Sequence, residues 1–327
     1  MKICLIINPK AGPSSFKKQL KQAQQHLIDL GCQVTCVETQ GVGDATRLAQ
    51  QAAQEGFDIA VAIGGDGTVN EVCNGLAGTD TALGVLPAGT ANVYAAEMGI
   101  PIWHPLNPEA IIKAADIIAH GQRRKIDLGQ LQLADGTSRY FLMWCGVGID
   151  AAVTQKKRSD NKNRSLNYIT WIVSGLLIVY DFLGTPATIT IDHGTTRKRI
   201  MLAVMNNGQL YGRVWRLAPQ AKMDDGLLDV GIMTGHRWPS LLKLLVGVTL
   251  KRHAKDPDFY LYRTAKLSLS TRDPLPVHVD AETIGMTPIE VEVVPLALSV
   301  IIPQNAPTRL FEDSQADPNL EETLSHR

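Results

Sequence analysis

The chain has 327 residues, of which 45% are hydrophobic and 20% are charged, and this composition predicts a globular protein long enough for two domains. Its 32 basic and 32 acidic side chains cancel, which argues against a nucleic acid partner and against strong attraction to an anionic membrane. The five cysteines are odd in number and form no Cys-x-x-Cys motif, so we expect reduced core thiols in a cytoplasmic protein.

Strand and helix patterns alternate from the N-terminus to residue 120. Short apolar runs predict strands at 3–7, 33–38, 57–63 and 83–86. Apolar residues at helical spacing predict helices at 16–30, 45–52, 69–76, 91–98 and 108–120. Such alternation favours an α/β domain with an open, largely parallel sheet and helices on both of its faces.

The third predicted strand leads directly into Gly64-Gly65-Asp66-Gly67-Thr68, and a helix pattern follows. Glycines let the backbone approach an anion, and the free N–H groups at a helix start favour phosphate. Thr68 can cap that helix or donate to phosphate. Asp66 would repel phosphate, so it suits a bridging magnesium ion or a proton instead. The alternative is a tight turn that binds nothing.

Two further turns follow predicted strands in the same way. Asn8-Pro9-Lys10-Ala11-Gly12 ends the first strand, and residues 86–92, LPAGTAN, end the fourth. Because the carboxyl ends of parallel strands lie at one edge of a sheet, the three turns should form one crevice. The chain has neither a Walker loop nor a Gly-x-Gly-x-x-Gly fingerprint, so we predict a nucleotide phosphate site of another type.

The pattern changes after residue 124. Short alternating strands separated by turn residues predict a mostly antiparallel β-sandwich. We expect its strands at 126–134, 138–145, 187–193, 198–205, 227–233, 266–270, 277–279, 289–294 and 298–302, with helices at 165–182 and 239–252. The predicted domains are 1–124 and 125–302, and the polar residues 303–327 should form a disordered acidic tail.

Eight motifs are distributed along both predicted domains. They are NPKAG (8–12), GGDGTVNEV (64–72), LPAGTANVYA (86–95), KIDLG (125–129), GVGIDAAV (146–153), NNGQLYG (206–212), LAPQAKMDDGLLDV (217–230) and VDAE (279–282). In these motifs and their order the chain resembles the diacylglycerol kinase catalytic domain superfamily, which includes bacterial lipid kinases, sphingosine kinases and ceramide kinases. The glycine turn by itself would also be shared with NAD kinases and phosphofructokinases.

The resemblance implies an ATP- and Mg²⁺-dependent lipid kinase. Its N-terminal α/β domain would be of the NAD kinase and phosphofructokinase type, and its β-sandwich would bind the lipid. The γ-phosphate of ATP would pass to a lipid hydroxyl, most simply that of diacylglycerol, giving phosphatidic acid. The residues that the resemblance assigns to the nucleotide are Asn8, Thr39, Gly64, Gly65, Asp66, Gly67, Thr68, Val69, Asn70, Gly89, Thr90 and Asn92.

The resemblance also implies a structural magnesium site. Asp225, together with the backbone carbonyls of Lys222 and Leu227, matches that site. A turn with an Asp-Gly dipeptide supplies the oxygen ligands that a hard cation prefers. The same residues also suit a plain hairpin turn, and this second interpretation stays open.

The catalytic candidates are Asp66, Asp280 and Glu282. The last two belong to Asp280-Ala281-Glu282, where the related proteins have glycine in the middle. Both carboxylates are retained, so a group that could position or deprotonate the substrate hydroxyl is present. If residue 281 has a positive φ angle, alanine costs about 1–2 kcal/mol there.

The lipid side of the reaction is less well defined by the sequence. Residues 156–164 carry five basic side chains and one acid, and the apolar helix pattern 165–182 follows. They could be a solvated loop and a core helix. Alternatively, the loop meets anionic headgroups while this helix and the one at 238–253 form a lipid entrance. We expect peripheral contact with the cytosolic face of a membrane, and the sequence leaves a homodimer open.

Two other functions compete with a lipid kinase. An NAD kinase would share the glycine turn, but LPAGTAN and the β-rich second half resemble the lipid kinases more closely. A non-catalytic protein that binds a nucleotide or a lipid would explain the altered Asp280-Ala281-Glu282 motif. Retention of Asp66, Asp225 and Glu282 argues against that interpretation.

Overall fold

A computed structural model of the chain describes residues 1–12, 14–89, 91–149, 184–192, 194–235 and 238–312. The predicted basic loop 156–164 and the predicted helix 165–182 lie outside these ranges, as does Thr90.

The first four strands form a parallel sheet in the order β2-β1-β3-β4. Their bounds are β1 Lys2–Ile7, β2 Gln33–Glu38, β3 Ile59–Gly64 and β4 Ala82–Pro87. All six residues of β3 and of β4 are buried, which is why both read as continuous apolar runs rather than alternating ones. The predicted open parallel sheet is confirmed.

Five helices accompany this sheet. They are α1 Ser14–Asp29, α2 Asp44–Gln54, α3 Asp66–Leu76, α4 Val93–Met98 and α5 Ala110–His120. Helix α2 buries Ala45, Leu48, Ala49 and Ala52, which share one face at helical spacing. It packs closely on α3. A Cβ atom at Gly75 of α3 would collide with the carbonyl oxygen of Thr46 on α2, so glycine is what allows the two helices to approach.

The second half of the chain is built from antiparallel strands. Their bounds are β5 Gln122–Leu133, β6 Ser138–Phe141, β7 Trp144–Gly148, β8 Thr185–Ile191, β9 Gly194–Asn206, β10 Leu210–Tyr211, β11 Trp215–Arg216, β12 Leu228–Thr234, β13 Phe259–Thr264, β14 Lys266–Thr271, β15 Pro276–Val279, β16 Glu282–Met286 and β17 Ile289–Ile302. Helix α6, Trp238–Thr249, confirms the predicted helix in this region. The sequence did not predict β10, β11, β13 and β16.

A long two-stranded ribbon joins the two halves. Strand β17 pairs along its whole length with β5, and its Val300 also pairs in parallel with Leu83 of β4. The predicted boundary between residues 124 and 125 therefore falls inside β5, and hydrogen bonding is continuous from one half to the other. The strands predicted at 289–294 and 298–302 are one strand with an irregularity between them.

The chain after β17 is ordered for longer than the composition suggests. Leu310 and Phe311 are buried, and the Arg124 guanidinium lies 4.1 Å from the centre of the Phe311 ring. The Met223 N–H donates to the Leu310 carbonyl oxygen. The prediction of a disordered tail is therefore wrong for residues 303–312, and residues 313–327 lie outside the described ranges.

The expectation about the cysteines is met in part. All five cysteines are free thiols, but Cys36 is exposed rather than part of the core. Within the described ranges, no helix combines the length and the apolar character needed to cross a membrane.

The turn between β15 and β16 carries backbone strain. Asp280 and Ala281 have φ angles of 45° and 68°, so the positive φ expected at residue 281 is confirmed. An L-residue in this region costs about 1–2 kcal/mol relative to glycine.

We therefore expect Ala281→Gly to raise the free energy of unfolding by about 1 kcal/mol, since relief of strain outweighs the added entropy of the unfolded chain. Urea denaturation measures this. Ala254→Gly, at an exposed position in a short 3₁₀ helix, is the matched control and should lower stability instead. A loss of stability in Ala281→Gly would contradict the strain argument.

Candidate functional site

The three glycine- and asparagine-containing turns meet at one edge of the parallel sheet. The Asn8 side-chain amide donates to the Thr68 hydroxyl over 3.1 Å, which joins the turn after β1 to the turn after β3. The N–H groups of Ala88 and Gly89 both donate to the Gly64 carbonyl oxygen and so join the turn after β4. The predicted single crevice is confirmed. Thr39, at the end of β2, lies at the same edge, since its N–H donates to the Ile7 carbonyl oxygen.

The glycines at this edge are required by close backbone contacts. A Cβ atom at Gly89 would lie 2.5 Å from the Gly65 Cα, and one at Gly64 would collide with Thr68. Gly67 is different, because it is exposed and a side chain there would meet no atom within 4 Å. Its backbone therefore faces open space at the start of α3.

Helix α3 begins here without a side-chain cap, with Gly65 in the N-cap position. The first N–H groups of a helix have no partner within the helix, and they carry the positive end of its dipole. The geometry at Gly65, Asp66 and Gly67 therefore suits an anion, as the sequence suggested.

Asp66 also contacts the start of helix α4. Its carboxylate accepts hydrogen bonds from the backbone N–H groups of Asn92, over 3.0 Å, and Val93, over 2.6 Å. These groups belong to the start of α4, so Asp66 anchors that helix. Burial raises the pKa of the Asp66 carboxyl, and the two N–H donors oppose the rise. Asp66 therefore has a structural role at the start of α4.

Asn92 holds the turn after β4. Its φ angle is 49°, and its side chain exchanges hydrogen bonds with the backbone of Gly89, donating to the carbonyl oxygen over 2.5 Å and accepting from the N–H over 3.3 Å. The buried Asn92 side chain therefore shapes the backbone at Gly89. Its contact with the nucleotide stays a prediction.

Two other predicted nucleotide contacts are also buried. Val69 belongs to the hydrophobic core, with 3% of its surface exposed. Asn70 donates to the Asp280 carboxylate over 2.8 Å and to the Tyr140 carbonyl oxygen over 3.0 Å. The Val69 side chain thus packs inside, and the Asn70 side chain links α3 to the second half of the chain. Their contacts with a nucleotide stay predictions.

Asp280 accepts the hydrogen bond from Asn70 that forms this link. Besides Asn70, the backbone N–H groups of Leu142, Met143 and Trp144 donate to its carboxylate over 2.7–3.1 Å. Burial raises the pKa of Asp280 and the four donors oppose that rise. With both oxygens engaged, Asp280 fixes the strand start at β7. Its catalytic role stays a prediction.

Glu282 lies next to this link and is half-buried. The Arg139 guanidinium donates to Glu282 Oε2 over 3.2 Å and, through Nε, to the Asn70 side-chain oxygen over 3.0 Å. Arg139 therefore connects Glu282 to α3. Sequence reasoning missed Arg139, because it stands in an ordinary alternating strand outside every motif.

A small cavity of about 10 Å³ lies between the two buried acids. Asp66 lines it from the first half of the chain and Asp280 from the second, and Tyr94 and Trp144 also line it. This volume accepts at most one water molecule. The substrates must therefore approach from outside it.

In the turn assigned to magnesium, Asp225 is already paired with a cationic side chain, that of Arg263. Asp225 Oδ1 accepts the Leu227 N–H over 3.0 Å, and Oδ2 pairs closely with the Arg263 guanidinium. Burial raises the pKa of Asp225, and Arg263 opposes that rise. Asp127 cannot contribute a ligand freely, since its oxygens accept the N–H groups of Gly226 and Leu296 over 2.7 Å.

The residues therefore do not fit a metal without rearrangement. In the described ranges, no three His, Cys, Asp or Glu side chains converge on a common point suitable for a metal ion. Lys222 and Leu227 still flank Asp225 as expected, so magnesium at this turn stays a prediction that requires Arg263 to move.

Comparison with known proteins agrees with this architecture. Residues 2–131 match the diacylglycerol kinase catalytic domain, and residues 144–302 match the YegS C-terminal NAD kinase beta sandwich-like domain. The diacylglycerol kinase of Bacillus subtilis (strain 168) is 30% identical over 308 residues, covering 94% of this chain and 98% of that protein. The diacylglycerol kinase of Staphylococcus aureus (strain MRSA252) is 26% identical over 319 residues, which is 97% of each chain.

Solved structures share the fold. A protein of Bacillus anthracis str. Sterne superimposes with a TM-score of 0.76 at 24% identity, covering 93% of this chain and 97% of its own. A second structure from that organism, named a diacylglycerol kinase, has a TM-score of 0.68 at 22% identity, with the same coverage. At these identities the likeness concerns the fold.

The anchoring role of Asp66 predicts a loss of stability in Asp66→Asn. The amide nitrogen cannot accept a hydrogen bond, so one N–H at the start of α4 is left unsatisfied, at a cost of about 1–3 kcal/mol. Urea denaturation without ligands measures this. Asp80→Asn, at an exposed carboxylate, should change stability by less than about 0.5 kcal/mol. Equal stability of both variants would remove Asp66 from the anchoring of α4.

The pair between Arg263 and Asp225 predicts a competition between arginine and magnesium. In the presence of EDTA, Arg263→Gln should lose about 1 kcal/mol or more, because the Asp225 carboxylate loses its cation. Millimolar magnesium should then raise the melting temperature of this variant more than that of the unmodified protein. Arg272→Gln, whose ion pair with Asp273 is exposed, is the control. An equal magnesium response in all three proteins would mean that Arg263 does not occupy a cation site.

Proposed function

We propose, from the premise that this chain belongs to the diacylglycerol kinase family, that it transfers the γ-phosphate of ATP to the hydroxyl of diacylglycerol and forms phosphatidic acid. The family implies the use of ATP and, typically, of a divalent metal ion. The finer assignment to diacylglycerol rests on the names of the related bacterial proteins.

The phosphates of ATP would bind at the open start of α3. Gly65 and Gly67 let the backbone approach, and the unpaired N–H groups of the helix complement negative charge. The turn with Asn8 and Lys10 borders the same edge, and the Asn8 side chain is already oriented by Thr68 and by the Lys10 N–H. A magnesium ion bound with the nucleotide would neutralise phosphate oxygens.

Glu282 is the acid that we assign to the acceptor hydroxyl. The carboxylates of Asp66 and Asp280 accept backbone N–H groups, whereas Glu282 is oriented by the side chain of Arg139. A carboxylate within hydrogen-bonding reach of the hydroxyl can take its proton as the phosphoryl group is transferred.

The observation that carries this proposal is the position of Arg139, which hydrogen-bonds to both Asn70 and Glu282. Helix α3 begins at the phosphate edge, and its Asn70 accepts a hydrogen bond from Arg139, which also donates to Glu282. The helix that would hold the phosphates and the acid that would face the hydroxyl are thereby held in one rigid arrangement. Positioning of the two reactants is the main requirement of phosphoryl transfer.

Glu282→Gln should lower kcat by about 100- to 10,000-fold, with little effect on the KM for ATP, since the amide cannot accept the proton. The assay uses radiolabelled ATP, magnesium and short-chain diacylglycerol in neutral detergent, followed by chromatography. Glu290→Gln, an exposed carboxylate of β17, is the control and should retain full activity.

The same assay separates the competing functions. Sphingosine and NAD⁺ are offered in parallel reactions. Label in NADP would identify an NAD kinase, and label in the sphingoid product would move the acceptor to another lipid. Near-normal turnover by Glu282→Gln would remove Glu282 from the chemistry, and absence of label in every product would contradict the kinase proposal.

A further inference from the structure

An apolar surface with a basic border lies beside the proposed acceptor side of the site. It is formed by the hairpin β10–β11, residues 210–216, and by the C-terminal end of α6 with the turn after it, residues 246–252. We call these residues the hairpin–helix surface. The Trp215 indole N–H donates to the Thr249 hydroxyl over 3.2 Å, which joins its two parts.

Large apolar side chains on this surface face solvent. Val214 is 62% exposed, Val246 is 49% exposed and Leu250 is 60% exposed. Val246 belongs to α6 and Leu250 to the turn directly after it. The Leu250 N–H donates to the Val246 carbonyl oxygen over 2.9 Å, so the two residues stand one helical turn apart. Scattered apolar side chains are normal on protein surfaces, but a contiguous group beside a site usually marks an interaction.

The border of the surface is basic. Arg213, Arg216, Lys251 and Arg252 are all exposed. The sequence has no acidic residue from position 207 to 223 and none from 235 to 255, although the whole chain has equal numbers of acids and bases. The next acids along the chain, Asp256 and Asp258, lie 2.8 and 3.7 Å from the Lys243 amino group.

The hairpin is in direct contact with the site. The ring centres of Tyr211 and Trp144 lie 5.3 Å apart, and the Trp144 N–H donates to Asp280. On its other side the Leu210 N–H donates to the buried Glu97 carboxylate of α4. The hairpin therefore contacts both Trp144 of β7 and helix α4.

We propose that the hairpin–helix surface docks on a bilayer that contains anionic lipid, with Val214, Val246 and Leu250 entering the interface and the four bordering cations meeting the headgroups. This inference rests on the proposed function, because a kinase whose acceptor stays in the bilayer must reach it there. Exposed aliphatic side chains, a tryptophan and exposed bordering cations are the combination that an anionic lipid interface recognises.

A lipid surface fits better than a protein partner. Aromatic side chains with one polar atom favour the boundary between hydrocarbon and water, and Trp215 and Tyr211 both stand on the hairpin. Arginine and lysine side chains can extend past an inserted apolar group and leave their charges at the headgroup level. The surface therefore needs no shape-specific partner to bury its apolar side chains.

Sedimentation with vesicles tests the proposal on the full chain. Vesicles contain phosphatidylcholine alone or with about one third phosphatidylglycerol. The unmodified protein should bind the anionic vesicles preferentially. The double variant Val214→Asp/Leu250→Asp should bind them about tenfold more weakly, and Lys251→Gln/Arg252→Gln should lose most of the preference for anionic lipid. Val214→Trp should bind the anionic vesicles more strongly than the unmodified protein does.

Matched controls exclude general effects of the substitutions. Leu106→Asp introduces the same charge at an 89% exposed leucine elsewhere, and Lys17→Gln/Lys18→Gln removes two exposed charges from α1. Both should bind vesicles as the unmodified protein does. Should the aspartate variants have a lowered melting temperature, the Val214→Ser/Leu250→Ser pair replaces them and should show the same direction of change.

Kinase assays separate this proposal from the proposed function. The surface variants should retain activity on short-chain diacylglycerol in neutral detergent and lose it on anionic vesicles. A protein that binds vesicles through this surface but phosphorylates no lipid would contradict only the kinase. Unchanged vesicle binding by every surface variant would overturn the docking surface, as would a dimer in sedimentation velocity that Leu250→Asp dissociates.

Discussion

The two oxygens of Asp280 accept one side-chain amide and three backbone N–H groups, and the amide links α3 of the first half of the chain to the strands of the second half. The amide belongs to Asn70 on α3, whereas the N–H groups belong to residues 142–144 at the start of β7. Burying a carboxylate costs free energy unless hydrogen-bond donors satisfy it. Any arrangement of α3 that withdrew the Asn70 amide from Asp280 would therefore be less stable. Arg139 and Glu282 are then placed by the arrangement that keeps this hydrogen bond.

A second buried acid works in the same way on the nucleotide side. Asp66 accepts two N–H groups of α4, and this fixes the turn in which Gly89 touches Gly65. In this chain the motif residue Asp66 therefore supports the scaffold. A carboxylate in a motif can hold the backbone in place or take part in the reaction, and the sequence does not tell the two roles apart. The hydrogen-bond donors around the carboxylate, which only the structure shows, distinguish them.

The sequence predicted the parallel sheet, its order of strands and helices and the meeting of three turns, because these follow from local periodicity and from the geometry of strand ends. It could not predict which acids are saturated, since the donors to Asp280 lie more than a hundred residues away in the chain. Arg139 and Arg263 were missed for the same reason: single arginines in alternating strands carry no local signal. Residues 303–312 look disordered by composition, yet Phe311 is fixed by a contact with Arg124 that is visible only in three dimensions.

These contacts decide how substitutions at the acids are to be interpreted. Removing Asp66 or Asp280 leaves buried N–H groups unpaired, so a loss of activity there mixes lost chemistry with displaced backbone. Glu282 and Arg139 avoid this difficulty, because their contact joins two side chains. If Arg139 acts by orienting Glu282, the effects of removing each on kcat will not add, and the second substitution will have little further effect. Additive losses would instead mean that Arg139 acts through Asn70 on the phosphate side. The coupling between these two residues therefore distinguishes positioning of the hydroxyl from positioning of the nucleotide.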